Sequence, residues 1–325
     1  MYVHLNGGEF YNLDAVEGCR RYLPDQSVDL IITDPPYGIE GDTLDKHYNR
    51  DEGWVLEGYV EVPAAEYGVF TKEWIEQAER ILRPGGQMYV VSGYTNLYHI
   101  LSALRESSLI EINHIIWKYN FGVYTTRKFV SSHYHILYYA KPGGDRTFNV
   151  EARYGLTEKD VRGRSLNYQD REDVWVINRE YQPGKRKNKN ALPSTLLMKI
   201  MQYSSREGDR VADLFMGGFS TAKVAIELNR TFVGFEISSS LFSHGVELVK
   251  TLTPGSSLSE LRRPRGKRPV NQGKRWSEAE RRCLQKQYRQ LVAAGWLKKD
   301  IVATLSASFG RGRFGIERML RQRND

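Results

Sequence analysis

The run Val28-Asp29-Leu30-Ile31-Ile32-Thr33 leads directly into Asp34-Pro35-Pro36-Tyr37, and this junction limits the possible folds more than any other stretch. A short run of aliphatic and β-branched residues, interrupted only by Asp29, predicts a buried parallel strand. Neither proline can donate to a ladder, so the strand ends there in a rigid loop. A carboxylate, two fixed carbonyls and a phenol ring thus stand at the carboxyl end of a central strand, where open α/β sheets bind ligands.

The pattern downstream repeats that architecture. From Thr71, the residues Trp74, Ile75, Ala78, Ile81 and Leu82 fall on one helical face, and Pro84-Gly85-Gly86 is expected to end the helix. A strand is expected at 87–92 and a helix at 96–106. Two alternating runs, 111–119 and 133–140, predict an antiparallel edge pair. Residues 1–27 read as a short strand and a helix. Later, a helix is expected at 195–205 and a strand at 210–215. Met216-Gly217-Gly218-Phe219 then forms a turn, followed by a helix at 220–228 and a strand at 231–236. This βαβ unit has glycines at its first turn and Glu236 about 20 residues on, the spacing at which an acid takes the ribose hydroxyls of a nucleoside.

Between these elements lie two less regular segments. The connection 38–70 carries eight acids against Lys46 and Arg50, which argues against phosphate contact; it reads as a lid, as a subunit contact in a homodimer, or as a solvated insertion. Apart from a short strand candidate at 174–177, residues 141–190 are rich in Gly, Arg, Asn and Tyr and close on Lys185-Arg186-Lys187-Asn188-Lys189, which reads as a candidate target-recognition segment or as a solvated surface loop.

Charge is divided along the chain. Residues 262–325 hold 18 Lys and Arg against 5 Asp and Glu, a net +13, while the remainder carries −5. A basic tail on a slightly acidic body points to a polyanion, with nucleic acid the first candidate. No apolar run approaches the roughly 18 residues of a membrane span, and the first residues lack a signal-peptide pattern, so a cytoplasmic protein is expected. Cys19 and Cys283 stand apart, without metal or redox spacing.

The loop chemistry suits a nucleobase. An exocyclic amine is a poor nucleophile because its lone pair is delocalised into the ring. Accepting hydrogen bonds from both of its N–H groups draws it toward a tetrahedral, attacking geometry, and Asp34 with a proline-held carbonyl supplies such acceptors. Tyr37 offers a face on which an extruded base can stack.

Asp34-Pro35-Pro36-Tyr37 after an apolar strand resembles the catalytic motif of DNA amino-methyltransferases, which methylate the exocyclic nitrogen of adenine or cytosine. Asp213-Leu214-Phe215-Met216-Gly217-Gly218-Phe219 resembles their S-adenosylmethionine turn, and the order of the two motifs resembles the permuted β group. The resemblance implies a Rossmann-like α/β methyltransferase sheet, mostly parallel with an antiparallel edge hairpin, over residues 1–252. It implies S-adenosylmethionine as cofactor and double-stranded DNA as partner, in a prokaryotic or phage restriction-modification setting. Asp34 and Pro35 would grip the target amine, Pro36 would hold the loop, and Tyr37 would stack on the base. Asp213, Phe215, Met216, Gly217, Gly218 and Glu236 would hold the cofactor. The family's N4-cytosine members usually carry Ser at the first motif position, so Asp34 favours N6-adenine, with N4-cytosine the alternative. C5-cytosine methylation needs a nucleophilic thiolate, usually after proline; Cys19 follows Gly18 and Cys283 follows Arg282.

Three departures from the family pattern stand out. Phe219 occupies the place of a second glycine. Gly7 is followed by Gly8 and Glu9, where members have an aspartate after glycine that touches the cofactor adenine. Asn190-Ala191-Leu192-Pro193 matches the family's pre-helix turn only loosely. Phe219 and Gly8 motivate the rival reading, a nonenzymatic DNA-binding protein with a degenerate cofactor site. His133 and His135 share one side of a strand but lack a third ligand, so they read as ordinary strand residues with no metal role.

Residues 253–274 are expected to be a basic linker. Residues 275–325 should form a small all-α module, opened by a Ser277/Glu280 capping box and resembling a helix-turn-helix or Myb-like fold. The DNA-contacting candidates are Arg127, Lys128, Lys185, Arg186, Lys187, Lys189, Arg313 and Arg318.

Overall fold

A computed structural model describes residues 1–36, 62–120, 126–180, 191–259, 261–262, 270–271 and 274–321. The chain divides into two compact units, Met1–Pro264 and Arg265–Asp325.

In the first unit the elements run β1 (Tyr2–Leu5), β2 (Gly8–Tyr11), α1 (Ala15–Tyr22), β3 (Val28–Thr33), α2 (Tyr67–Ile81), β4 (Leu82–Ser92), α3 (Leu97–Glu106), β5 (Ile110–Lys118) and β6 (His133–Ala140). They continue with α4 (Leu166–Asp170), β7 (Val174–Val176), α5 (Ser194–Ser204), β8 (Arg210–Asp213), α6 (Ser220–Glu227), β9 (Thr231–Phe235) and α7 (Ser239–Lys250). The described strands form one sheet in the order β1-β2-β9-β8-β3-β4-β6-β5-β7. From β2 through β4 each neighbouring pair is parallel. Their carboxyl ends therefore share one edge. Strand β6 is antiparallel to both β4 and β5, so β5 runs with β4 and also ends at that edge.

Strand β3 is buried on both faces because its side chains are shared between two cores, alternating from Leu30 to Ile32. Leu30 and Ile32 pack with Leu196 and Ile200 of α5, Ala222 and Ala225 of α6, and Phe242 of α7. Val28 and Ile31 pack with Cys19 of α1, Trp74 and Ala78 of α2, and Leu104 of α3. Burying each of these aliphatic side chains contributes about 2 kcal/mol, which fixes the register of the strand that carries the Asp34 loop.

Several local expectations are corrected. Residues 1–27 hold two strands before the helix, an antiparallel hairpin whose second strand joins β9. Helix α2 begins at Tyr67, four residues before the expected start, and closes at Ile81. Pro84-Gly85-Gly86 does not terminate it; these residues lie within β4, where the β3 register slips between Val28 and Leu30. The β5–β6 hairpin is not the sheet edge, because β7 adds in parallel outside β5. The expected linker is partly structured. Gly255 N donates to Ile226 O at 2.9 Å, Leu258 and Leu261 pack on the first core, and Arg262 pairs with Glu158.

The second unit contains α8 (Glu278–Ala293), α9 (Lys298–Phe309) and α10 (Arg313–Arg321) around Leu284, Ile301, Val302, Leu305, Ile316 and Met319. Ser277 and Glu280 form the capping box at the start of α8. Arg311 lies 4.1 Å from the Trp276 ring centroid and donates to both Glu280 carboxylate oxygens at 3.1 Å. Gly310 to Gly312 form a tight turn between α9 and α10, with Gly310 at φ 57°. Among the described residues no helix is long and apolar enough to cross a membrane.

Candidate functional site

Three parallel strands end side by side at the shared edge: β3 runs into Asp34, β8 ends on Asp213, and β9 leads to Glu236. The two motifs meet through Thr33, whose Oγ1 donates to Asp213 Oδ1 at 3.1 Å across 180 positions of sequence. Both groups are buried, so this bond ties the foot of the Asp34 loop to the foot of the glycine turn.

Asp213 also accepts from Phe215 N at 3.1 Å, which folds the chain back at the end of β8. Burial pushes its carboxyl up to about 6, against the pull of the hydrogen bonds it accepts. Met216 N donates to Phe235 O at 2.9 Å. Gly217, at φ 49°, donates its N–H to Glu236 Oε2 at 2.8 Å, and Ser238 N donates to Glu236 Oε1 at 2.7 Å. Glu236 thus straps the turn to the start of α7. Burial raises its pKa, and the two backbone donors oppose that rise. Asp213 and Glu236 are therefore two buried carboxylates held by neutral donors. Among the described residues no lysine or arginine forms an ion pair with either.

Phe219 adopts the left-handed conformation, φ 62° and ψ 22°, at the N-cap of α6. Its ring points into the core, fully buried, stacked on Phe10 at 5.4 Å and edge-on to Phe242 at 6.0 Å. Gly245 of α7 makes the space: a Cβ there would overlap the Phe219 ring. The backbone path of a glycine is kept, and the side chain fills the core beneath the turn. Gly8 and Glu9 lie at the far end of β2, where Gly8 pairs with Phe232 and Glu9 accepts from Arg210 Nη2 at 2.8 Å. The aspartate beyond the site end of β2 is Asp14, which caps α1 by accepting from Glu17 N at 3.0 Å. The two departures behind the nonenzymatic reading are therefore features of core packing and strand register.

Of the catalytic motif, Asp34 is half-buried, Pro35 buried and Pro36 half-buried, while Tyr37 lies outside the described residues. Pro36 O accepts from the buried Tyr67 hydroxyl of α2 at 2.7 Å. Phe215 is partly buried between Phe70 at 5.6 Å and Trp74 at 5.8 Å. Sequence reasoning missed Thr33, Tyr67 and Asn12. The Asn12 amide donates to Glu236 O at 2.7 Å and Ile237 O at 3.1 Å. No local pattern marks these residues, because each acts on a partner distant in sequence.

The basic candidates fall in three stretches of the chain. Arg127 and Lys128 are exposed between β5 and β6 at the site edge. Lys185, Arg186, Lys187 and Lys189 lie outside the described residues. Arg313 and Arg318 belong to α10 of the second unit, and Arg313 Nε donates to Glu317 at 2.9 Å. His133 and His135 are joined by His114, whose Nε2 is 2.8 Å from His135 Nδ1. Burial first, then the neighbouring His114 and His133, lower His135 to about 4. Among the described residues there is no grouping of three or more His, Cys, Asp or Glu suited to a metal ion. A pocket open to solvent lies against the sheet face, lined by Tyr89, Tyr138, Trp175, Lys199 and Tyr203 among others.

The sequence model of the N6/N4 DNA methylase family matches residues 28–247. The Type II methyltransferase M.HpaI of Haemophilus parainfluenzae is 30% identical over 226 residues, 66% of this chain and 66% of its own length. The Type II methyltransferase M.BamHI of Bacillus amyloliquefaciens is 30% identical over 256 residues, 73% of this chain and 56% of its own length. The chain thus spans somewhat less than two thirds of these relatives. The crystal structure of the M1.HpyAVI–SAM complex matches with a TM-score of 0.53 at 22% identity, covering 75% of this chain and all of the other.

Proposed function

The chain belongs to the N6/N4 DNA methylase family, and we propose that it transfers a methyl group from S-adenosylmethionine to the N6 amino group of an adenine extruded from double-stranded DNA. The observation that carries this reading is the Thr33–Asp213 hydrogen bond, which joins the amine-gripping loop and the glycine turn into one site.

The residues present fit the cofactor. Asp213 and Glu236 are buried acids without a basic partner among the described residues, which suits a ligand bearing cationic sulfonium and ammonium groups. S-adenosylmethionine supplies an electrophilic methyl group on its sulfonium. Glu236 spends two of its roughly four lone-pair sites on Gly217 and Ser238 and keeps the rest for the ribose hydroxyls. A Cβ at Gly217 would meet only open space, so its backbone stays accessible to the methionine part. Met216 and Gly218 complete the turn, and Phe215 lies beside the adenine region.

Asp34 and the Pro35 carbonyl accept the two N–H bonds of the target amine, and Asp34 takes up the proton released after attack. Pro36, pinned by Tyr67, fixes the height of that acceptor pair over the sheet edge. Tyr37 stacks on the base. A carboxylate accepts more strongly than a serine hydroxyl, which supports adenine over cytosine. Arg127, Lys128, Lys185, Arg186, Lys187, Lys189, Arg313 and Arg318 contact DNA phosphates. Asp34→Ala tests the assignment. Methyl transfer should fall by at least about 1000-fold while calorimetry shows cofactor binding within a few-fold of wild type; wild-type turnover in the variant would refute the role.

A further inference from the structure

The shared edge carries one feature that the proposed chemistry has not used. Residues 126–131 project beyond the β5–β6 pair, which Tyr119 N closes by donating to Ser132 O at 3.1 Å. Within this projection Phe129 is 99% exposed, with Arg127 and Lys128 beside it. An aromatic ring wholly in water forfeits its burial, and here it is flanked by cations on a protein whose family acts on a polyanion.

Its position follows from the strand order. Ser92 of β4 pairs with His135 of β6, so the start of β6 stands at the same edge as Asp34. At about 4.8 Å per strand, β6 and β5 lie roughly 10 and 14 Å from β3, a reach of a few stacked base pairs. Arg179 braces the base of the projection. The Arg179 guanidinium lies 5.4 Å from the Tyr119 and Tyr134 ring centroids and 6.0 Å from that of Trp117, and Arg179 Nη2 donates to Tyr134 Oη at 3.1 Å.

Chemistry on an exocyclic amine requires the base to leave the duplex, and the gap it leaves is unstacked. Apolar side chains driven between base steps stabilise such distortions. We propose that Phe129 enters the duplex and fills the space vacated by the extruded base, with Arg127 and Lys128 held against the flanking phosphates. This wedge role rests on the methyl-transfer reading.

The test uses the full chain and a duplex carrying a site that the wild-type protein methylates. On the fully paired duplex, Phe129→Ala should lower kcat/KM on the order of tenfold or more, because extrusion becomes costlier. On the same duplex with the target base opposite an abasic position, where extrusion is cheap, the variant should recover to within a few-fold of wild type. Phe129→Trp should retain activity on both, and cofactor affinity should be unchanged throughout. An equal loss on both duplexes, or no loss on either, overturns the wedge while leaving the methyltransferase reading intact. Failure of the wild-type protein to methylate any DNA strikes that underlying reading instead.

Discussion

Phe219 shows how one side chain can depart from a pattern and still serve it. A non-glycine residue in the left-handed region costs about 1 kcal/mol, whereas burying a phenylalanine ring contributes about 2–3 kcal/mol. Packing therefore wins, provided that Gly245 leaves room. Phe219→Gly should lose core packing worth about 3–5 kcal/mol and regain about 1 kcal/mol of backbone strain. A fall in Tm of several degrees is the expected result, and a more stable variant would contradict the packing explanation. Gly245→Ala should destabilise by a similar route, through overlap with the ring. Asp213 carries a pH signature. Its folded carboxyl titrates at about 6 against an ordinary 3.8, so the folded state binds the proton more tightly. The stability this gives is full below about 3.8 and is lost as pH rises through about 6. Asp213→Asn should therefore gain on wild type by up to about 3 kcal/mol between pH 4 and pH 7 in denaturant titrations; a constant difference would show that the buried charge carries no such penalty.

Among the elements, those whose residues obey a local period were legible in the sequence. The β3 run, the α2 face at Trp74, Ile75, Ala78 and Ile81, and the βαβ unit leading to Glu236 form where their spacing places them, although Leu82 opens β4 instead of extending α2 and β8 closes at Asp213, two residues short of the expected 215. The misreadings share a physical cause. Pro84-Gly85-Gly86 reads locally as a helix stop, but it lies inside β4 at a register shift against β3, where Gly85 N donates to Lys141 O and Lys141 N donates to Gly86 O, both at 2.9 Å. Strand β7 is a three-residue segment, too short to declare its pairing with β5. Thr33, Asn12 and Tyr67 look ordinary because their partners lie 180, 224 and 31 positions away. Helix α2 shows the functional side of this. By donating to Pro36 O from Tyr67, it fixes the loop that β3 delivers. Tyr67→Phe should cost about 1 kcal/mol of stability and lower kcat while leaving cofactor affinity unchanged; a loss confined to cofactor binding would place Tyr67 in a different role.

For the whole molecule, charge and architecture divide at nearly the same place. The second unit begins at Arg265, and the 18 basic residues of 262–325 fall almost entirely within it. Because Leu261 and Arg262 pack within the first unit, a clean truncation removes 265–325. That truncation should weaken DNA binding and flatten the slope of log affinity against log salt by about 0.9 for each phosphate the tail had neutralised. An unchanged slope would mean that the tail does not touch DNA. Whether the joined Asp34–Asp213 edge methylates adenine at N6 is read by incubating the full chain with methyl-labelled S-adenosylmethionine and duplex DNA, then resolving the nucleosides. Label in N6-methyladenine is the expected outcome; label only in N4-methylcytosine, or none in DNA, would refute it.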